Sequence, residues 1–278
     1  MHIYADLQLY PRHPMVQQLS AVLLSKELLS VRPFAQRLRM YKDTWEIEQM
    51  QKAADISIRA HAYALRQLSD QHRYEYQVAA DIEYIYNQHH CTWAYPSIVA
   101  GGSNACTLHY VANNHLLSPD ELCLIDAGCE YSYYASDITR TYPISGRYSE
   151  AQKKVYDIVL AAQLAAIDHI QQPDATMASY HRCAVEVLVR GLIDLGILQG
   201  SIAENIAQRN YRPYYSHGTG HFLGLDVHDL GIYQDNKVPT PMQTGMVVTV
   251  EPGLYFAQND TTVPAEFRGI GIRIEDDI

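Results

Sequence analysis

Four carboxylates and one imidazole stand where ionised groups are expensive. Asp126 closes the apolar run LCLIDAG, and Asp137 opens the next such run eleven positions later. Glu251 closes MVVTVEPG, Glu275 closes GIRIED, and His221 lies in HGTGHFLG. A bare carboxylate at the edge of an apolar strand costs several kcal/mol of desolvation. An arginine or a few main-chain amides can rescue one such group. Four carboxylates with an imidazole are more economically explained by divalent cations, since a combined charge of about −4 balances two dications. Oxygen-rich ligation with one imidazole suits Mn2+, Co2+, Fe2+ or Zn2+ and is too hard for copper(I). Taken singly, each acid has a plain structural reading: a strand-end Asp forms turns, and a Glu there is salt-bridged or solvated. The joint pattern carries the metal reading.

The histidines divide in the same way. His217 and His221 have the HxxxH spacing that, on a helix, marks zinc peptidases. Two intervening glycines argue against a helix, and no Glu follows His217, so that reading is set aside. His228 lies seven positions beyond His221 in DVHD, and His109 follows a loop rich in Gly and Asn. His61, His89, His90, His169 and His181 fall on or near helices and read as ordinary packing or surface residues.

Elements must carry these groups. Residues 1–40 read as an appendage, with a short apolar run at 19–24 and a proline at Pro33 that should break any helix. Asp43 followed by Glu46 predicts a capped helix start. Ile47, Met50, Ala54, Ile58, His61, Leu65 and Leu68 then recur at helical spacing. A second helix is expected over 75–89, a third from Ser149 and a fourth over 177–198, stopped near Gly196 or Gly200. Loop and short strands are expected over 95–110, and strands over 121–127, 137–144, 245–250 and 270–275. Two helices before strands, then two helices before strands again, suggest a duplication within one α+β domain.

The composition narrows the function classes. Of 278 residues, 47% are hydrophobic and 19% charged, an ordinary globular balance. A net charge of −10 repels nucleic-acid phosphates. Five cysteines without a CxxC argue against a disulfide scaffold and a cysteine zinc site, and read as free thiols in a reducing cytoplasm. The N-terminus lacks the pattern of a signal peptide, and no stretch reaches the length of a membrane span.

The blocks LHY, LIDAGCEYSYYASDITRTYPISG, HGTGHFLGLDVHD, TVEPGLY and RGIGIRIEDD together resemble the pita-bread metallopeptidases, and within them the Xaa-Pro aminopeptidase (aminopeptidase P) branch. The likeness runs from about Val31 to Ile278. It implies an α+β pita-bread fold of the creatinase and methionine aminopeptidase kind, pseudo-twofold, with a curved antiparallel sheet flanked by helices. It implies that 41–278 is a catalytic domain shortened at its C-terminus, and that 1–40 is the tail of a preceding N-terminal domain and linker. By the same likeness Asp126 binds one metal, Asp137 and Glu275 bridge two, and His221 with Glu251 binds the other. Mn2+ is the implied metal, with Zn2+, Co2+ and Fe2+ suited to the same groups. His109, His217 and His228 match the family's active-site histidines, and Tyr255 and Arg273 its substrate pocket.

The implied activity is hydrolysis of the bond between an N-terminal residue and a following proline. Two dications would activate a shared water. Glu251 would take its proton, His228 would donate to the oxyanion, and His109 would face the leaving nitrogen. The implied partners are peptides with proline in second place, with a homo-oligomer in the longer form, and neither nucleic acid nor membrane. Two alternatives share the scaffold. Prolidase differs in admitting only dipeptides. A non-enzymatic peptide-binding module would be expected to have lost ligands, and none is lost here.

Overall fold

The computed structural model describes residues 3–5, 28–68 and 73–278. The apolar run at 19–24 lies outside them. Strands β1 (Ile3–Ala5) and β2 (Leu28–Ser30) pair in parallel. Helix α1 (Arg32–Met40) follows directly. Pro33 therefore opens a helix where the sequence suggested a break: within the first turn its missing N–H has no intrahelical partner to lose.

Helix α2 (Thr44–Leu68) starts as its capping box predicts. The Asp43 amide donates to Glu46 Oε2 at 2.8 Å, and the Glu46 amide donates to Asp43 Oδ1 at 2.9 Å. Its buried face differs from the one expected. Ile47, Ile58 and Leu65 are exposed, whereas Ala53, Ser57, Ala60 and Ala64 are buried. Small size decides the face, because α2 must lie close against helix α3 (Glu75–Gln88) and against the chain that links Asp126 to Asp137. Cys129 N donates to Ser57 Oγ at 2.9 Å and Cys129 Sγ to the Ala53 carbonyl at 3.3 Å, which isoleucine or leucine at those positions would obstruct.

The first half continues with β3 (Thr92–Trp93), β4 (Ile98–Gly101), β5 (Leu122–Asp126), β6 (Cys129–Tyr131), β7 (Tyr134–Ala135) and β8 (Thr139–Pro143). Strands β4, β5 and β8 form one antiparallel sheet, and β3, β6 and β7 another. Ala53, Ala60, Ala64, Val78, Ile82, Val99, Cys123 and Ile125 form the core between the helices and these strands.

The second half repeats the plan. Helices α4 (Glu150–Ile170), capped by Ser149, and α5 (Met177–Asp194) pack together, and the short α6 (Ile202–Ala207), unforeseen in the sequence, follows. Gly196 sits at φ +74° and ends the α5 segment. A hairpin of β9 (Gln234–Asp235) and β10 (Val238–Pro239) precedes the last strands. Strand β11 (Thr249–Val250) pairs with β14 (Asp276–Asp277), and β12 (Gly253–Tyr255) with β13 (Gly271–Arg273), both antiparallel. These strands are shorter than the apolar runs suggested. Glu251 and Pro252 interrupt one ladder, since proline supplies no amide donor. The core of this half uses larger groups, among them Val155, Val159, Leu188, Leu192, Tyr215 and Phe256.

The halves meet along β8 and β13. Glu275 N donates to the Thr139 carbonyl at 3.0 Å, and Thr141 Oγ1 donates to the Arg273 carbonyl at 3.1 Å. Among the described residues, no helix is long and apolar enough to cross a membrane.

Candidate metal centre

The eleven-residue spacing of Asp126 and Asp137 closes into a hairpin. Ala127 N donates to the Ile138 carbonyl at 3.0 Å and Ser136 N to the Cys129 carbonyl at 3.0 Å. Gly128 makes the close approach possible, because a Cβ there would stand 1.7 Å from the Ser136 carbonyl oxygen. His61, an ordinary residue by its sequence position, donates from Nε2 to the Ala127 carbonyl at 3.1 Å and pins this hairpin to α2.

In the second half, Thr249 N donates to the His221 carbonyl at 2.9 Å and Glu251 N to the Thr219 carbonyl at 2.8 Å. This pairing sets His221 beside Glu251. Gly220 permits it, since a Cβ would lie 1.9 Å from the Thr249 carbonyl oxygen. The extended chain from His217 to His221 is not helical, as the two glycines indicated.

All five candidate ligands line one cavity of about 510 Å³ at the seam between the halves. Ligand atoms of Asp137, His221 and Glu275 lie within 4.8 Å of one another. His221 Nε2 is 3.5 Å from Asp137 Oδ2 and 3.6 Å from Glu251 Oε1. Asp126 joins them through Tyr95, whose hydroxyl reaches Asp126 Oδ1 at 2.7 Å and Asp137 Oδ1 at 2.6 Å. Thr139 Oγ1 donates to Glu275 Oε2 at 2.5 Å, and Asp277 accepts the Asp137 amide at 3.1 Å. Tyr95, Thr139 and Asp277 had no distinguishing signal in the sequence. One tyrosine among 22 carries no mark of its role, and the other two are visible only once the halves are brought together.

The charges do not balance within the protein. Four carboxylates face one guanidinium, that of Arg273, and the imidazole of His221. Burial, opposed by His221 and aided by Asp126, raises Asp137 above the usual carboxylate range. Burial, opposed by His221 and aided by Asp137, lifts Glu251 to about 7, and burial with the neighbouring acids holds Glu275 well above the usual carboxylate range. His221 goes the other way: burial opposes its charge, but Asp137 and Glu251 outweigh it and raise it to about 9. A pocket of oxygen donors this short of positive charge, with one imidazole in contact, fits divalent cations.

The remaining predicted residues are also here. His109, His217, His228 and Arg273 line the cavity, whose apolar wall includes Ala94, Ile98, Leu108 and Val227. Tyr255 stands behind that wall. It bonds to His217 Nε2 at 2.9 Å and receives Arg273 Nη1 at 3.1 Å. Arg273 also donates from Nη2 to Asp126 Oδ2 at 2.5 Å, so it is an internal partner of a candidate ligand as well as a wall residue. His217 bonds on both ring nitrogens, with the Gly218 carbonyl 2.8 Å from Nδ1. Burial and Arg273 push His217 down to about 3, which keeps it neutral. The His228 ring stands edge-on to His221, centroids 4.4 Å apart, and burial and that neighbour lower its pKa. The next residue, Asp229, anchors the His228 loop. It accepts Arg39 Nη1 at 2.8 Å and lies 3.6 Å from Lys42 Nζ, with the Lys42 and Asp229 side chains each 1% exposed.

Residues 48–278 match the metallopeptidase family M24. The chain belongs to that family. It is similar to the Xaa-Pro aminopeptidase of Haemophilus influenzae, at 44% identity over 91% of this chain and 58% of that protein. It is also similar to the Xaa-Pro aminopeptidase of Escherichia coli, at 41% identity over 90% of this chain and 56% of the relative. The aminopeptidase PepP structure of Pseudomonas aeruginosa superposes with a TM-score of 0.91 at 39% identity, covering 99% of this chain and 64% of that one. The chain thus spans somewhat more than half the length of these M24 relatives. The two helix-and-strand halves about a seam are the pita-bread fold, and membership of this metallopeptidase family implies divalent metal.

Proposed function

We propose that residues 41–278 form the catalytic domain of a Xaa-Pro aminopeptidase, a hydrolase that removes an N-terminal residue from peptides with proline in second place. The observation that carries this reading is the convergence of Asp126, Asp137, His221, Glu251 and Glu275 with His109, His217 and His228 on one cavity. The 41–44% identity to two bacterial Xaa-Pro aminopeptidases supports the proline-directed activity.

Two divalent ions would be held here, one by Asp126, one by His221 and Glu251, and both by Asp137 and Glu275. Mn2+ suits the oxygen-rich donor set. When bound, such ions supply a water acidic enough to furnish hydroxide near neutral pH. Glu251, desolvated and facing the cavity, is the base that receives the proton. His228 donates a hydrogen bond to the oxygen that becomes negative, and His109, exposed on the opposite loop, faces the leaving proline nitrogen. His217, neutral and tied to Tyr255, shapes the pocket, and Arg273 holds Asp126 in place. Five free cysteines are consistent with a reducing cytoplasmic setting.

The test is hydrolysis of a Xaa-Pro-Xaa tripeptide by Mn2+-loaded protein, with metal content measured on the same sample. About two ions per chain and release of the first residue are expected. Absence of turnover in a fully loaded, folded sample would overturn the assignment, and turnover of Xaa-Pro dipeptides alone would reassign the chain to prolidase chemistry.

A further inference from the structure

The loop that carries His109 has little main-chain support. Among the described residues, no main-chain N–H from Leu108 to Leu116 donates to a main-chain carbonyl. Side chains supply the missing order. Asn113 ties the loop to β4, accepting Val99 N at 3.0 Å and donating from Nδ2 to the Ser97 carbonyl at 2.8 Å, and Leu117 N donates to the Arg73 carbonyl at 2.8 Å where the loop ends. The part nearest His109 depends on another residue. Glu75, the first residue of α3, is fully buried and has no place in the metal centre. Its Oε1 accepts Gly101 N at 2.7 Å and Asn104 Nδ2 at 3.0 Å. Its Oε2 accepts the Tyr110 hydroxyl at 2.7 Å and His115 N at 2.8 Å. Four donors saturate the carboxylate, and the helix N-terminus favours its negative charge. The Glu75 amide returns a bond to the His115 carbonyl at 3.0 Å.

These donors flank His109 on both sides, at 101 and 104 before it and at 110 and 115 after it. We propose that Glu75 is a positioning residue: its buried carboxylate replaces a main-chain ladder and holds the His109 loop over the metal centre. The part of this inference that concerns catalysis rests on the role given to His109 above. The part that concerns the loop does not.

Glutamine is the informative replacement. Its amide nitrogen must face one of the two donor pairs, so Glu75→Gln sets donor against donor in a site closed to water. Hydrogen–deuterium exchange should then rise at the amides this cluster holds, Glu75, Gly101 and His115, while α2 and β5 keep their protection. In peptide hydrolysis, Glu75→Gln should lower kcat/KM roughly 10- to 100-fold, the scale of a misplaced contact, with metal content unchanged. Introduced into His109→Ala, the same substitution should change kcat/KM less than about twofold, because the group it positions is already gone.

Full additivity with His109→Ala, or unchanged exchange at the amides of Glu75, Gly101 and His115, overturns the proposal. If Glu75→Gln does not fold, Tyr110→Phe removes one of the four donors and should give a smaller rise in exchange at the His115 amide, which shares Glu75 Oε2 with it. No rise there is equally fatal. The exchange measurement needs no substrate, so it decides the loop's anchoring even if the wild-type protein fails to cleave Xaa-Pro peptides.

Discussion

The first half, from α2 to β8, brings Asp126 and Asp137 together within eleven residues of chain, through one hairpin pinned to α2 by Ser57 and His61. The second half gathers His221, Glu251 and Glu275 from three separated segments that meet only when β11 to β14 have paired. Their cores follow suit. The first mixes alanine and cysteine with isoleucine, valine and leucine, whereas the second relies more on valine, leucine and aromatic rings. The histidine loops differ too. Glu75 and Asn113 tie down the His109 loop by hydrogen bonds, whereas an ionic cluster of Arg39, Lys42 and Asp229 holds the His228 loop. The comparison shows that one centre can be built from a locally encoded half and a half encoded by long-range pairing.

The largest effects should come from the candidate ligands, and they should separate the halves. Glu275→Ala removes the acid at the seam and should abolish retention of both ions, with turnover down by about two to four orders of magnitude. Asp126→Ala and His221→Ala should each leave about one ion per chain. Metal analysis after dialysis checks all three, and loss of both ions in Asp126→Ala would break the division of labour between the halves.

Asp229→Leu should leave Lys42 buried without its counter-charge and cost about 3 kcal/mol of stability. Lys42→Met combined with Asp229→Leu should recover most of that loss. Denaturant titration reads both, and equal loss in the single and double variants would remove the ionic account of this loop.

His61 gives the first half a pH signature. Burial lowers its folded pKa to about 4 from the usual 6.5. Below pH 6.5 the unfolded chain takes up a proton that the folded chain refuses until about pH 4. Stability from this group is therefore complete above pH 6.5 and falls with acidification, by about 2 kcal/mol at pH 5. Melting curves of wild type and His61→Gln between pH 7 and 5 should show a shallower slope in the variant.

The smallest expected effects are the helix caps, one in each half. Asp43→Ala and Ser149→Ala should each cost about 1 kcal/mol in thermal unfolding. A much larger loss at Asp43 would show that the start of α2 contributes more to the first half than the start of α4 does to the second.

Much of the centre was legible before folding was considered. Asp126, Asp137, Glu251 and Glu275 could be picked out because ionised groups at the ends of apolar strands conflict with desolvation, and such a conflict is visible locally; His221 joined them through the likeness of HGTGHFLG to the family. The capping box at Asp43, the helix start at Ser149 and a stop near Gly196 or Gly200 were legible for the same reason: each involves groups a few positions apart. The buried face of α2 was not, because Ile58 and Leu65 are more hydrophobic than the alanines beside them. Only the closeness of the Cys129 segment shows why size outranks hydrophobicity there. Pro33 was misread because a proline that breaks a helix interior is favoured in its first turn, and position within the helix was unknown.

By itself the sequence determined the donor types of the candidate centre and the alternation of helices and strands. These follow from rules that act over a few residues. Tertiary structure alone decided that Tyr95 spans two aspartates, that Arg273 serves Asp126, and that Glu75 and Asp229 hold the two histidine loops. Each of those contacts joins residues from different parts of the chain. Their energies depend on burial and on distances of a few ångströms, which no local pattern records.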